Sequence, residues 1–280
     1  MSNLVLAWPN RVGAETMVSG GSWSIAAQNV ATADITQVAR STNATEAATQ
    51  MRLALDAARN IRVVSMVNHN LSATAQWRVT IGTTAGASDL HDSGWLAVWS
   101  MNFDSWIEWE AATWWVGAGL DEYLRAPFPV VHMLDDAVTA QHFSIYIRDV
   151  TNADGWVQIG RAFAGDAIQP TYNMSYGLSD EIDDLSDITR AESGAVWTTD
   201  RRRLRRVSLV LDWLTDDEGA YLHEMMRVLG RTGEVLYWPY PDEPGRSQQY
   251  GFLGQLMEMS ALEYPYHRVR RLPLRIQEVA

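Results

Sequence analysis

Two stretches with strand periodicity set the limits on what this chain can become. In residues 50–81, QMRLALDAARNIRVVSMVNHNLSATAQWRVTI, Met51, Leu53 and Leu55 alternate with Arg52 and Ala54, the period-2 pattern of a strand with one buried face. Residues 61–67 are nearly all apolar and rich in β-branched side chains, which predicts a central strand covered on both faces. Asn68, His69 and Asn70 then break the run with residues that favour turns and tolerate left-handed backbone. Trp77, Val79 and Ile81 resume the alternation. The second stretch, 143–165 (FSIYIRDVTNADGWVQIGRAFAG), alternates at Phe143, Ile145 and Ile147, turns at 152–155 and returns over 156–163, which reads as a hairpin. Together these segments predict a β-sandwich with 61–67 at its centre.

Composition narrows the function classes. At 280 residues with 47% hydrophobic side chains, the chain can bury one large core or two ordinary ones. A net charge of −12 argues against a protein that coats nucleic acid, because neutralising phosphates needs a positive surface. With no cysteine, disulfides, thiolate metal sites and a cysteine nucleophile are excluded. All 22 basic residues are arginine. Arginine pairs bidentately and tolerates interfaces better than lysine, but a GC-rich genome produces the same bias. The N-terminus lacks a basic region and a small-residue cleavage site, so no signal peptide is expected. No window of about 18 uncharged apolar residues predicts a membrane span.

Residues 82–128 carry Trp95, Trp99, Trp106, Trp109, Trp114 and Trp115 among Gly, Asp and Ser, a tryptophan-rich insert centred on 95–115. Flat apolar rings stack on pyranose faces, so Trp95, Trp99, Trp114 and Trp115 are candidate carbohydrate platforms. Core and subunit-interface packing is the plainer reading, since tryptophan contributes large buried area and concentrates at interface hot spots. Asp104, Glu108 and Glu110 are the residue type a glycosidase pair requires, but nothing fixes their separation.

Past residue 170 the texture changes. Ten of the 13 tryptophans precede it and 13 of the 22 arginines follow it, which predicts domains at 1–170 and 171–280. LSDEIDDLSD (178–187) carries five acids and DRRRLRR (200–206) five arginines. They read as strand-flanking charges that pair within a subunit or between neighbours, with Asp183, Asp184, Arg201, Arg202, Arg203 and Arg205 as candidate assembly contacts. The acidic run lacks the Gly and terminal Glu of a calcium loop, and no metal or cofactor site is expected. Thr215 with Glu218 three residues on is a capping box. Leu222, Met225, Met226 and Leu229 follow on one face, predicting a helix over about 216–229. Strands are expected at 205–213, 234–238, 250–259 and 268–279, with 239–245 as an exposed loop. His223 and His267 stand alone, without visible partners.

A strand ending in NHNLS (68–72), then QWRVTI (76–81) and GWVQIGRAFAG (155–165), resembles the galactose-binding-like, discoidin-type β-sandwich of bacteriophage tail and baseplate proteins over residues 1–170. The order of capped helix, GEVLYWPYP, YGFLGQL and RRLPLRIQEV over 195–280 is also similar to phage tail proteins. The resemblance implies a jelly-roll sandwich followed by a smaller β-rich α+β domain. It further implies a homo-oligomeric ring member of a tail tip or baseplate, located in the virion, linking the tail tube or hub to host-attachment proteins. A carbohydrate-binding module for host-surface polysaccharide is the alternative. An enzyme is not expected, because no G-x-S-x-G, H-E-x-x-H, P-loop or dinucleotide fingerprint is present.

Overall fold

The computed structural model describes residues 2–99, 128–191, 193, 194 and 196–279, and the protein is mainly β with several sheets. It divides into two compact units. The first comprises residues 1–2, 10–167 and 238–251, the second 3–9, 168–237 and 252–280. Residues 3–9 therefore belong with the C-terminal part of the chain, and residues 238–251 with the N-terminal part. Strand pairing explains the first exchange: Val5–Ala7 lies beside Glu234–Trp238 in the second unit's sheet, where Leu4 and Leu6 are fully buried.

Among the described residues of the first unit, nine strands form one antiparallel sheet. Its path runs Trp23–Ile25, Ala39–Ser41, Gln158–Gly165, Met51–His69, Val130–Arg148, Gln76–Gly82, His91–Asp92. Met17–Ser19 pairs with Met51–His69, and Leu96–Ala97 with Gln76–Gly82. Residues 51–55 and 61–67 are one 19-residue strand rather than two. Its exposed middle carries the Arg59–Asp56 ion pair at 2.5 Å, and its register against Val130–Arg148 shifts twice, between Ala54 and Arg59 and between Ile61 and Val63. The core side chains are accordingly Met51, Leu53, Leu55 and Ile61, then Val64 and Met66. Odd positions give way to even ones because each register shift is by an odd number of residues, which exchanges the faces of one strand relative to the other. The partner strand does the same, from Val130, Leu134 and Ala140 to Phe143, Ile145 and Ile147. Both halves of the sheet thus line one continuous core, the sandwich expected from the alternation.

The hairpin expected over 143–163 is corrected. Val130–Arg148 and Gln158–Gly165 do not pair with each other; both pair with Met51–His69, on opposite sides. The turn at 152–155 is present, with Gly155 N–H donating to the Asn152 carbonyl at 3.0 Å. A turn signal reports where the chain reverses and not which strand receives it. Gly160 lies where this returning strand passes closest to its neighbours. A Cβ there would sit 2.5 Å from the Ile35 carbonyl oxygen and 2.8 Å from Asn68 Cβ, so only glycine fits without displacement.

The second unit holds a sheet in the order Ala167–Ile168, Val5–Ala7, Glu234–Trp238, Phe252–Leu256, Val269–Glu278, Arg203–Leu214, Ser179–Asp184, with Glu263–Tyr266 added beside Val269–Glu278. The helix Asp216–Leu229 occupies the expected residues. Leu222, Met225, Met226 and Leu229 pack into a cluster with Leu4, Leu6, Val207, Leu209, Tyr237 and Ile276 among others. Its capping box is complete. Glu218 N–H donates to Thr215 Oγ1 at 3.3 Å, and Thr215 N–H donates to Glu218 Oε2 at 2.8 Å. Glu218 also accepts from Thr171 N–H at 2.6 Å and Thr171 Oγ1 at 2.9 Å. Thr215→Ala is expected to cost about 1 kcal/mol and Thr215→Ser much less, read from denaturant midpoints; equal midpoints for alanine and wild type would remove the cap from the stability account.

Two further expectations are revised. Residues 239–245 are not all loop, because Pro244–Tyr250 is a short helix with proline in its first turn, where its missing N–H is harmless. The acidic run is not strand-flanking but forms the edge strand Ser179–Asp184 itself. Aspartate has poor β-propensity, yet this strand is exposed except at half-buried Asp183, and Asp183 and Asp184 meet arginines on the neighbouring strand.

Candidate functional site

The NHNLS phrase is consumed by the framework. Asp149, buried at 2% exposure, accepts from Ser72 N–H at 2.9 Å, from Asn152 Nδ2 at 2.8 Å and from the Ser72 hydroxyl. Asn70 accepts from Gln158 N–H at 2.7 Å and donates to Asp154 Oδ2 at 2.8 Å. Asn68 adopts φ 57° and donates to the Ile35 carbonyl at 2.8 Å. These bonds tie the turn after Met51–His69 to the turn before Gln158–Gly165. The phrase and GWVQIG are thus clasped together in the fold.

Of the tryptophan candidates, Trp114 and Trp115 lie outside the described residues, as do Asp104, Glu108 and Glu110. Trp99 is buried at 7% exposure. Its Nε1 donates to the Leu71 carbonyl at 3.0 Å, and its ring meets Phe128 edge-on at 4.5 Å. Trp95 is half-buried under the Arg148 guanidinium, 4.1 Å from its ring centre, and Arg148 is held by Glu46 at 3.0 Å. Both rings thus have occupied faces.

Beside them, within the same unit, is a cleft of about 600 Å³ lined by Trp77, Trp99, His132, Trp238, Asp242 and Gln248, among others. Trp77 is buried at 1% exposure, so this wall is core rather than platform. His132 Nε2 lies 2.9 Å from His91 Nε2, a contact that requires at least one neutral ring. Burial first, and His91 second, push the His132 pKa down to about 4. His69 is also pushed down to about 4 by burial, against a smaller opposing contribution from the Phe128 backbone. Its Nδ1 accepts from Leu71 N–H at 3.3 Å. Among the described residues no group of three or more His, Asp or Glu side chains could hold a metal ion, and no helix is long and apolar enough to cross a membrane.

In the second unit, the acid and arginine runs are brought together inside the chain. Asp184 meets Arg203 at 3.2 Å, Asp183 meets Arg206 at 2.5 Å, and Arg201 reaches Asp187 at 3.4 Å. Arg205 is held by Glu278 at 2.6 Å, a pair with both side chains largely buried, while Arg202 is half-buried. Partner identity was not legible in the sequence, because Arg206 and Glu278 enter only through register: Glu181 faces Arg206 and Ile182 faces Arg205 across the ladder. Next to this strand, Asp187–Arg190 and Val196–Thr199 form a two-stranded ribbon of their own. It is exposed throughout, with Ile188 at 65%, Val196 at 53% and Trp197 at 69%. Opposed residues share a face, so Ile188 and Val196 lie on one face and Trp197, opposite Thr189, on the other.

No protein-family model matches the chain, and no curated protein matches it. Among solved structures, one similar to part of it is CBM32-1 from a family 31 glycoside hydrolase of Clostridium perfringens. The similarity spans 56% of this chain and 97% of that one, at 11% identity and a TM-score of 0.34. A likeness of that size carries no conclusion about ligand or activity.

Proposed function

We propose that this chain is a non-catalytic structural protein that assembles with copies of itself, as a ring member of a bacteriophage tail tip or baseplate in the virion. The observation that carries the assembly reading is the ribbon of Asp187–Arg190 and Val196–Thr199. A two-stranded sheet alone is marginal in water, and this one presents large apolar side chains on both faces. The adjoining strand Ser179–Asp184 adds Ile182 at 68% exposure and, among the described residues, an outer edge that no other strand pairs with, the element that strand addition uses. The tail or baseplate assignment, and with it partners among tail tube, hub and host-attachment proteins, rests on the order of the phrases at 68–72, 76–81, 155–165 and 195–280. The alternative reading, a carbohydrate-binding module for host polysaccharide, draws support from exposed aromatic rings of the second unit; of its candidates at 95–115, Trp99 is buried and Trp95 lies under Arg148, while Trp114 and Trp115 lie outside the described residues.

The test is sedimentation velocity over a concentration series. The wild-type protein is expected to form a discrete oligomer. Trp197→Asp with Ile188→Asp is expected to weaken it by about 30-fold or more, the effect of losing one hot spot of about 2 kcal/mol. A wild-type protein that stays monomeric at the highest concentration, or an oligomer indifferent to both substitutions, would sink the assembly reading.

A further inference from the structure

A second cluster of exposed rings lies in the second unit, away from the ribbon. The strand Arg203–Leu214 changes register against Val269–Glu278 between Leu211 and Leu214. Within that irregularity Trp213 adopts φ 62° and stands 58% exposed. Bulges re-aim side chains in this manner. Across from it, Tyr266 pairs with Val269 around a two-residue turn in which Arg268 takes φ 59°. Trp213 and Arg268 are two of the three non-glycine residues with positive φ among the described residues, and both line one groove of about 380 Å³, with Tyr172, Leu214, Thr215 and Val269. Left-handed backbone at a large side chain is strained and persists where the surrounding structure enforces it.

The geometry points to a saccharide-binding site on this surface, one that takes a pyranose against Trp213 and Tyr266. The two rings are within 11° of parallel with centroids 6.2 Å apart. At 58% and 67% exposure both side chains stand largely open to solvent. Tyr172, at 59%, borders the groove. A flat ring with an electron-rich face attracts the polarised C–H bonds of a sugar's apolar face, the same electrostatics that orients aromatic pairs. The sugar's hydroxyls need donors and acceptors at the rim. Arg268 is exposed and, among the described residues, has no intramolecular partner, so its donors are available to them. Asp212 is engaged by Ser175 Oγ at 2.5 Å and Arg271 at 3.0 Å and fixes the strand beneath rather than the ligand. A few open rings around a groove with one free directional donor match a small polar ligand with an apolar face. A protein partner would instead be expected to bury a wide, closed patch.

The experiment is calorimetric titration of the full chain with maltohexaose, cellohexaose and hexagalacturonate. At least one is expected to bind, and Trp213→Ala is expected to weaken that binding at least tenfold, with Tyr266→Ala and Arg268→Ala weakening it by smaller factors. Trp213→Phe, which keeps a ring, guards against misfolding and is expected to retain partial affinity; Trp197→Ala is expected to leave it unchanged. Absence of binding by all three sugars overturns the inference, as does binding indifferent to Trp213→Ala or lost on Trp197→Ala. A change of oligomeric state in Trp213→Ala without any sugar binding assigns the surface to self-association and also overturns it. Failure of the assembly test leaves this site standing, because the two use different residues.

Discussion

Replacing Asp149 by alanine is expected to destabilise the first unit by about 3 kcal/mol, the largest effect of a single polar substitution in the sandwich. The buried carboxylate accepts three bonds, from Ser72 N–H, Ser72 Oγ and Asn152 Nδ2. Hydrogen bonds to a charged group contribute about 1.5–3 kcal/mol each, and donors left buried without an acceptor add their own desolvation cost. Asn152 Nδ2 keeps the Asn70 carbonyl at 2.9 Å, which limits the loss at that donor; Ser72 N–H has no such second acceptor among the described residues. Asp149→Asn retains one carbonyl oxygen and is expected to lose about half as much. Asp154→Ala removes one exposed contact to Asn70 and is expected to cost under about 1 kcal/mol. Urea titration followed by tryptophan fluorescence orders the three, since ten of the 13 tryptophans precede residue 170. If Asp149→Ala unfolds within about 1 kcal/mol of wild type, the clasp between the two turns is not what holds this end of the sandwich.

The second large effect is a loss of stability between pH 6.5 and pH 4. His69 and His132 are both lowered from 6.5 to about 4 in the folded protein. Between those values the unfolded chain binds protons that the folded chain refuses. Stability is therefore full above about pH 6.5, falls as pH is lowered and levels off near pH 4, where the folded rings also protonate. At about 1.4 kcal/mol per pH unit, the ceiling for His69 is about 3 kcal/mol; His132 is less enclosed and adds less. The window is separate from that of Asp92, which Arg78 holds down to about 2 and whose contribution is lost only below about pH 3.8. His69→Asn can keep an acceptor for Leu71 N–H while removing the titration, and is expected to flatten the fall. A denaturation midpoint that does not move between pH 7 and pH 4.5 would show that neither ring resists protonation.

The groove at Trp213 has no counterpart in the sequence pattern. The tryptophans at 95–115 stand out by density; Trp99 is buried and Trp95 lies under Arg148, the other four lie outside the described residues, and Trp213 sits inconspicuously at the end of an alternating strand. Its exposure follows from a register irregularity against Val269–Glu278, a partner more than fifty positions away. Periodicity placed Val207, Leu209 and Leu211 inward, as found, but alternation within one strand cannot report a bulge created by its neighbour.

What the sequence determined by itself is local. The capped helix Asp216–Leu229 needs only Thr215, Glu218 and a repeating apolar stripe, and all of these interactions close within a few residues. The β character of 50–81 and 143–165 is equally local, since it requires only alternation and β-branched side chains. The tertiary structure alone decided which strand lies beside which, where Met51–His69 bends and exchanges its faces, and which acid meets which arginine. It also placed Val5–Ala7 in the sheet of the second unit. Those outcomes depend on register and on the closing of long loops, which pairing between distant segments sets and the pattern within a segment does not encode.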